Sequence, residues 1–127
     1  MDLRTLRHCR ILIVEDEYML ADELQRELSR AGAVVVGPVP TVAMALDLLA
    51  READLDGAVL DVNLGGDLVY PVADALAGRK VPFVFVTGYD AQVLPPRFAY
   101  APRCEKPVRI SAVRDAIGAP SPLAGEQ

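Results

Sequence analysis

Carboxylate, hydroxyl and ammonium groups stand at the ends of short apolar runs in this sequence. Glu15 and Asp16 follow the run ILIV, Asp61 follows AVL, Thr87 follows VFV, and Lys106 follows a weak fifth run. Carboxylates held close together disfavour each other's charged form unless a cation lies between them. A cation that takes few protein oxygens and keeps several waters is more typically Mg²⁺ than Ca²⁺. These residues therefore predict a magnesium site, provided that the fold brings the strand ends together.

An aspartate beside Mg²⁺, with an ammonium and a hydroxyl in reach, is the arrangement that acyl-phosphate formation requires. The carboxylate attacks phosphorus, and the metal and the ammonium offset the charge on the equatorial oxygens. Lys106 suits this second role because its compact ammonium matches a phosphoryl oxygen. It is also one of only two lysines in an arginine-rich chain. Asp61, at the end of a buried run, is the candidate nucleophile.

Apolar runs that alternate with amphipathic segments predict the elements that position these residues. Strands are predicted over residues 11–14, 34–36, 58–60, 82–86 and around Arg103 and Cys104. Strict alternation of strands with helices is typical of a doubly wound α/β domain, whose parallel sheet is covered on both faces. Ligands bind such sheets at the carboxyl ends of the strands, so the polar strand ends should meet there.

Helices are predicted from apolar spacing and from residues that start or stop a helix. The second helix begins after Thr41 as its cap, and its predicted inward face holds Val42, Leu46, Leu49 and Ala53. The third runs from Asp67 as its cap to Gly78. A fourth helix is expected within residues 88–102, but Pro95, Pro96 and Pro102 remove amide donors and disfavour helix before them. The sequence therefore predicts at most a short turn there.

Composition limits the domain organisation and the partners. A chain of 127 residues is long enough for one compact core, which we place in residues 9–118, between an N-terminal arm at 1–8 and a flexible tail at 119–127. The net charge of −5 argues against a nucleic-acid surface. The sequence contains neither an apolar run of membrane-spanning length nor a signal peptide, so we expect a cytoplasmic protein that does not engage membranes.

The motifs ILIVEDE, AVLDVNL, FVTG and CEKP, in this order, resemble the receiver domain of two-component response regulators over residues 9–118. The resemblance implies a flavodoxin-like five-stranded parallel sheet with strand order 2-1-3-4-5. It also implies that Asp61 accepts a phosphoryl group from a histidine kinase or phosphotransferase and that an unidentified downstream protein reads the result. Self-phosphorylation and self-dephosphorylation would be the only chemistry, so the protein would not be an enzyme. Its oligomeric state would be a monomer or a weak dimer.

The same resemblance implies roles for individual residues. Asp16, Asp61 and the backbone carbonyl of Asn63 would ligate Mg²⁺, with Glu15 assisting through water. Lys106 and Thr87 would bind the phosphoryl group. Gly88 would let the backbone approach that group, and the Lys106–Pro107 peptide bond would be cis. Tyr89 would either line the mouth of the pocket or pack on the loop.

One position departs from the family pattern, and one stretch points to a subgroup. Arg103 stands where receivers usually carry an aromatic switch residue, three positions before the lysine. Phe98 or Tyr100 would be the aromatic substitutes. The stretch PFVFVTGY is similar to a subgroup of stand-alone, single-domain receivers that have a Phe-x-x-Thr-Gly-Tyr signature and a reduced fourth helix. In this chain the nearest Phe, Phe85, stands two positions before Thr87, whereas the signature places it three positions before.

Two other classes of function are compatible with parts of the pattern. A receiver-like binding module could keep the fold and bind partners independently of phosphorylation. Arg103, at the usual position of the aromatic switch residue, is compatible with this alternative. A Mg²⁺-dependent phosphohydrolase of the haloacid dehalogenase type also forms an aspartyl phosphate. Those enzymes place a second aspartate two residues after the nucleophile, where this chain has Asn63, and they add a cap domain for which the chain has no room.

Overall fold

A central parallel sheet of five strands organises the protein, which we describe from a computed structural model over residues 4–88 and 94–120. The strands are β1 (Arg10–Val14), β2 (Val34–Val39), β3 (Gly57–Asp61), β4 (Phe83–Thr87) and β5 (Arg103–Glu105). Their order across the sheet is β2-β1-β3-β4-β5, and every neighbouring pair is parallel. The predicted flavodoxin-like α/β fold with strand order 2-1-3-4-5 is confirmed.

Helices cover both faces of this sheet. They are α1 (Tyr18–Arg30), α2 (Val42–Arg51), α3 (Tyr70–Gly78) and α4 (Ile110–Ile117). One face of the sheet packs against α2 and α3, and the other packs against α1 and α4. Successive side chains of a strand point to opposite faces, which is why Leu12 and Ile13 of β1 belong to different apolar clusters. In the described ranges, each helix is shorter or more polar than a bilayer-crossing helix must be.

The second helix begins as predicted but is rotated about its axis. The hydroxyl of Thr41 accepts a hydrogen bond from the amide of Met44 at 3.1 Å, as a capping residue does. Ala45 and Leu49 are the buried residues of α2, whereas Leu46 is exposed. The predicted inward position of Leu46 is therefore wrong, and so is that of Ala53, which is exposed and lies beyond the end of α2. Ala45 and Leu49, four residues apart, lie on the same face of the helix, and this face packs against the sheet.

The third helix begins later than predicted because a hairpin precedes it. Asn63–Leu64 and Asp67–Leu68 pair as two antiparallel strands. Gly65 and Gly66 connect them, with φ angles of +65° and +106°. Two glycines in this left-handed region form the tight turn that joins such strands. Asp67 is thus a hairpin residue, so its predicted capping role is wrong, and α3 begins at Tyr70.

The folded body extends past the limits predicted for the core. Arg4–Thr5 and Ala119–Pro120 form a small antiparallel pair, and Leu6 is buried. In the part of residues 88–102 that is described, the helical structure is the single 3₁₀ turn Pro96–Phe98, as the prolines predicted. The remainder of the predicted arm and tail, residues 1–3 and 121–127, and the loop residues 89–93 lie outside the described ranges.

Candidate functional site

The carboxyl edge of the sheet places three polar side chains in the protein interior. Asp61 is the last residue of β3, Thr87 is the last residue of β4, and Glu15 follows β1 directly. These three residues are only 4%, 2% and 7% exposed, respectively. Buried polar side chains are costly unless they are paired or bind a ligand. Their burial at the edge where parallel strands of this fold bind ligands makes this edge the candidate site.

Carboxylate oxygens of Glu15, Asp16 and Asp61 lie within 4.8 Å of one another. Asp16 is exposed and opens this group to solvent, while the other two carboxylates are buried. Hard oxygen donors at this spacing fit Mg²⁺, which binds few protein carboxylates and keeps several waters. The backbone amide of Asn63 donates a hydrogen bond to Asp61 Oδ1 at 3.2 Å, which fixes that carboxylate beside the hairpin. A ligand role for the Asn63 carbonyl stays a prediction.

Lys106 supplies a cation to this acidic edge. Its Nζ lies 2.9 Å from Asp61 Oδ2, 3.2 Å from Glu17 Oε1 and 3.4 Å from Glu15 Oε1. The backbone amide of Lys106 donates to the carbonyl of Thr87 at 3.0 Å, so the end of β4 positions the lysine. The following peptide bond, to Pro107, is cis, as the resemblance implied.

Burial and crowding change the acid–base behaviour of the site. Burial raises the pKa of Glu15, and so do the hydrogen bond with Asp61 and the negative charge of Asp61. Together they bring the pKa of Glu15 from its ordinary 4.5 to about 8. The Glu17 amide and the Lys106 charge oppose that rise in pKa. Burial lowers the pKa of Lys106, but the hydrogen bond to Asp61 and the charges of Asp61 and Glu15 raise it by more. Lys106 is therefore an ammonium at neutral pH.

A cleft of about 340 Å³ opens above these groups. Its lining includes Asp16, Glu17, Asp61, Val62, Asn63, Gly65, Gly66, Thr87, Gly88 and Lys106. The volume is sufficient for a phosphoryl group and its waters. A Cβ added at Gly88 would meet no described atom within 4 Å, so the surrounding protein does not by itself require glycine there. The predicted need for backbone access to a bound group at Gly88 stays a prediction.

The structure brings together most of the residues that the sequence singled out. Pro107 lies beside the cleft, where it lines a separate small pocket with Glu15 and Lys106. Tyr89 lies outside the described residues. Glu17 was not assigned a role from the sequence, although it belongs to the same acidic run as Glu15. The signal that could have identified it is its place in the run Glu15-Asp16-Glu17, directly after the first strand.

Arg97 and Phe98, in the described residues before β5, are fixed by an ion pair and by aromatic packing. The Phe98 ring is buried and lies 5.4 Å from the Phe85 ring and 5.7 Å from the Tyr70 ring, centroid to centroid. Arg97 donates two hydrogen bonds to the Asp74 carboxylate of α3, at 2.9 and 3.1 Å. Phe98 therefore anchors the described residues just before β5 to the core.

No family model matches the chain, but individual proteins do. The chain is 43% identical to a protein named SdrG from Sphingomonas melonis Fr1, whose solution structure aligns with a TM-score of 0.75 over 86% of this chain and 92% of that one. A BeF₃-activated conformation of SdrG, attributed to Pseudomonas melonis Fr1, is 42% identical, with a TM-score of 0.68 over 84% of this chain and 90% of that one.

Two further relatives are more distant. A response regulator receiver protein from Sinorhizobium medicae WSM419 is 25% identical, with a TM-score of 0.72 over 89% of this chain and 94% of that one. The sensory transduction protein LytT of Bacillus anthracis is 34% identical over 88 residues, which are 67% of this chain. The chain spans only 35% of the length of LytT.

Proposed function

The chain belongs to the receiver domains of two-component response regulators, and on that premise we propose that Asp61 accepts a phosphoryl group from a histidine kinase or a histidine phosphotransferase. The single observation that carries this proposal is the short contact between Lys106 Nζ and the buried Asp61 carboxylate, 2.9 Å, within an otherwise acidic cleft. A solitary ammonium beside a buried carboxylate is suited to a reaction that brings additional negative charge to that carboxylate.

The proposed reaction transfers the phosphoryl group without any other covalent change in this protein. An Asp61 oxygen forms a bond to phosphorus while the phosphorus–nitrogen bond of the donor phosphohistidine breaks. The bonding electrons go to the leaving imidazole nitrogen, which takes a proton from solvent. Lys106 binds an equatorial phosphoryl oxygen, and the burial of Asp61 holds its reactive oxygen in the cleft.

The carboxylates of Glu15, Asp16 and Asp61 would hold Mg²⁺ in this reaction. When bound, the metal offsets charge on the transferring phosphoryl group. Asp16 is the most accessible of the three carboxylates and would receive the hydrated ion first. Glu15 is more buried than Asp16 and lies 3.4 Å from Lys106 Nζ, and a bound cation would favour its charged form.

The output we propose is a change in protein–protein contacts, with no catalytic turnover of an external substrate. An aspartyl phosphate adds charge and strong acceptors, which can draw the Thr87 hydroxyl and its loop toward the cleft. The BeF₃-activated conformation of the SdrG relative supports a two-state behaviour of this kind. The downstream protein would contact the segment after β4, β5 and α4.

Phosphorylation by a small-molecule donor tests the proposal. Wild-type protein incubated with Mg²⁺ and acetyl phosphate should acquire one phosphoryl group, visible as a Phos-tag gel shift and in the intact mass. Asp61→Asn should acquire none. Asp56→Asn, which changes an aspartate at the opposite edge of the sheet, should behave as wild type. Labelling of Asp61→Asn equal to that of wild type would refute Asp61 as the acceptor.

A further inference from the structure

Glu17 is in direct contact with Lys106 but lies outside the proposed metal ligands. Its Oε1 is 3.2 Å from Lys106 Nζ, only slightly farther than the Asp61 oxygen at 2.9 Å. The Glu17 side chain is 60% exposed, whereas that of Lys106 is 19% exposed. Both residues line the cleft, so the ammonium lies between an interior acceptor, Asp61, and an acceptor at the cleft mouth.

The side chain of Glu17 has no evident role in forming α1. Glu17 occupies the capping position of that helix, but in the described structure its carboxylate makes no capping hydrogen bond. Its backbone amide donates to Glu15 Oε2 at 3.1 Å, a contact that any residue except proline can make. Its contact with Lys106 is thus the interaction that can give the carboxylate a function.

We propose that Glu17 is a positioning residue that holds the Lys106 ammonium at the mouth of the cleft and competes for it with an incoming phosphoryl group. The second half rests on the proposed function, because it assumes a phosphoryl group on Asp61. Lys106 must exchange a protein carboxylate for a phosphoryl oxygen when that group arrives. The Glu17 carboxylate therefore stabilises Lys106 in the unphosphorylated protein. It thereby weakens the binding of Lys106 to the phosphoryl group.

Beryllofluoride, titrated in saturating Mg²⁺, is the probe for this competition. Glu17→Gln keeps an acceptor of the same shape and removes the charge. We expect it to bind beryllofluoride about twofold to fivefold more tightly than wild type, the range for one solvent-exposed charge pair. The difference should shrink in 1 M salt, where charges more than about 3 Å apart are screened. Asp47→Asn, an equal change of charge on the exposed face of α2, should leave the affinity unchanged.

A double-mutant cycle distinguishes action through Lys106 from direct repulsion of the anion. In a Lys106→Met background, Glu17→Gln should have little effect on beryllofluoride binding. If Glu17→Gln raised the beryllofluoride affinity by the same factor with Lys106 and with Met at this position, the proposal would be overturned. Unchanged or weaker binding by Glu17→Gln alone would overturn it as well. Thermal unfolding of Glu17→Gln should stay close to that of wild type, because the variant loses one exposed charge pair and no capping hydrogen bond.

The first half of the proposal has a test that needs neither metal nor phosphoryl analogue. The chain has two lysines, so the side-chain nitrogen signals of Lys106 and Lys80 can be separated by mutation. In metal-free protein, Glu17→Gln should shift the Lys106 Nζ resonance and speed its hydrogen exchange, with Lys80 as the internal control. An unchanged Lys106 signal would refute the contact. Failure of wild type to bind beryllofluoride would instead count against the proposed function and, with it, the competition at Glu17.

Discussion

At the amino edge of the sheet, charged groups are matched by partners, whereas at the carboxyl edge a single ammonium faces three carboxylates. Arg10 at the amino edge donates to Glu52 Oε2 at 2.8 Å and to the Asp54 carbonyl at 2.9 Å, and its amide donates to Asp56 Oδ2 at 2.8 Å. At the carboxyl edge, Lys106 contacts Asp61, Glu15 and Glu17 together. The second arrangement has an excess of negative charge.

Arg79 is the clearest example of a charged side chain at the amino edge that stabilises the backbone. Its guanidinium donates to the carbonyls of Leu49, Glu52 and Ala53, at 2.8, 2.6 and 3.0 Å. These carbonyls lie at and just beyond the end of α2, where backbone acceptors lack partners within the helix. The paired charges and backbone acceptors at this edge stabilise the fold, whereas at the other edge the carboxylates outnumber the one ammonium that contacts them.

The largest expected effect is the pH dependence of the free energy of unfolding, which tests the excess of negative charge at the carboxyl edge. The pKa of Glu15 in the folded protein, about 8, lies above its ordinary 4.5, so folding favours the protonated form. The resulting stability is fully present below pH 4.5 and is lost as pH rises toward 8. In EDTA, the free energy of unfolding should fall over this window by up to about 1.4 kcal/mol per pH unit from this group. Urea titrations at several pH values measure it.

Glu15→Gln is the matched variant for the pH experiment, because glutamine keeps the shape of the protonated acid. Its free energy of unfolding should vary less between pH 5 and 8 than that of wild type, and at pH 8 it should be the more stable protein. Identical pH profiles for the two proteins would show that the carboxyl edge is not strained by charge.

The next effect in size tests the amino edge. Arg79→Ala removes three charge-assisted hydrogen bonds to backbone carbonyls, and we expect a loss of about 2 kcal/mol in the free energy of unfolding. Arg51→Ala is the control, since Arg51 forms an exposed ion pair with Asp47 worth about 0.5 kcal/mol or less. Urea unfolding compares the two. Equal losses would mean that Arg79 is no more structural than a surface arginine.

The smallest effect concerns the metal. Mg²⁺ at ten times its dissociation constant should stabilise wild type by about 1.4 kcal/mol, because the proposed site exists in the folded protein and not in the unfolded chain. Asp16→Asn should lose most of this stabilisation, whereas Asp56→Asn should retain it. Thermal unfolding with and without Mg²⁺ provides the measurement. Equal stabilisation of Asp16→Asn and wild type would place the ion elsewhere.

Most of the fold followed from local patterns. Buried parallel strands must be apolar on both faces, so the runs from Ile11 and from Phe83 identified β1 and β4 directly. The hairpin before α3 was missed, although its signal, two adjacent glycines between short segments, is present in the sequence. The rotation of α2 carries no such signal, because Val42, Ala45, Leu46 and Leu49 are all apolar and only packing selects among them.

The sequence by itself determined which groups gather at the carboxyl edge, because strands in a parallel sheet all end on the same side. Glu15, Asp61 and Thr87 followed from that rule alone. Only the tertiary structure decided the distances and the partners. Lys106 lies 89 residues from Glu17 along the chain, and their contact depends on the path after β5 and on the start of α1. Side-chain contacts between distant segments depend on the packing of both, so the contact between Lys106 and Glu17 became visible only in three dimensions.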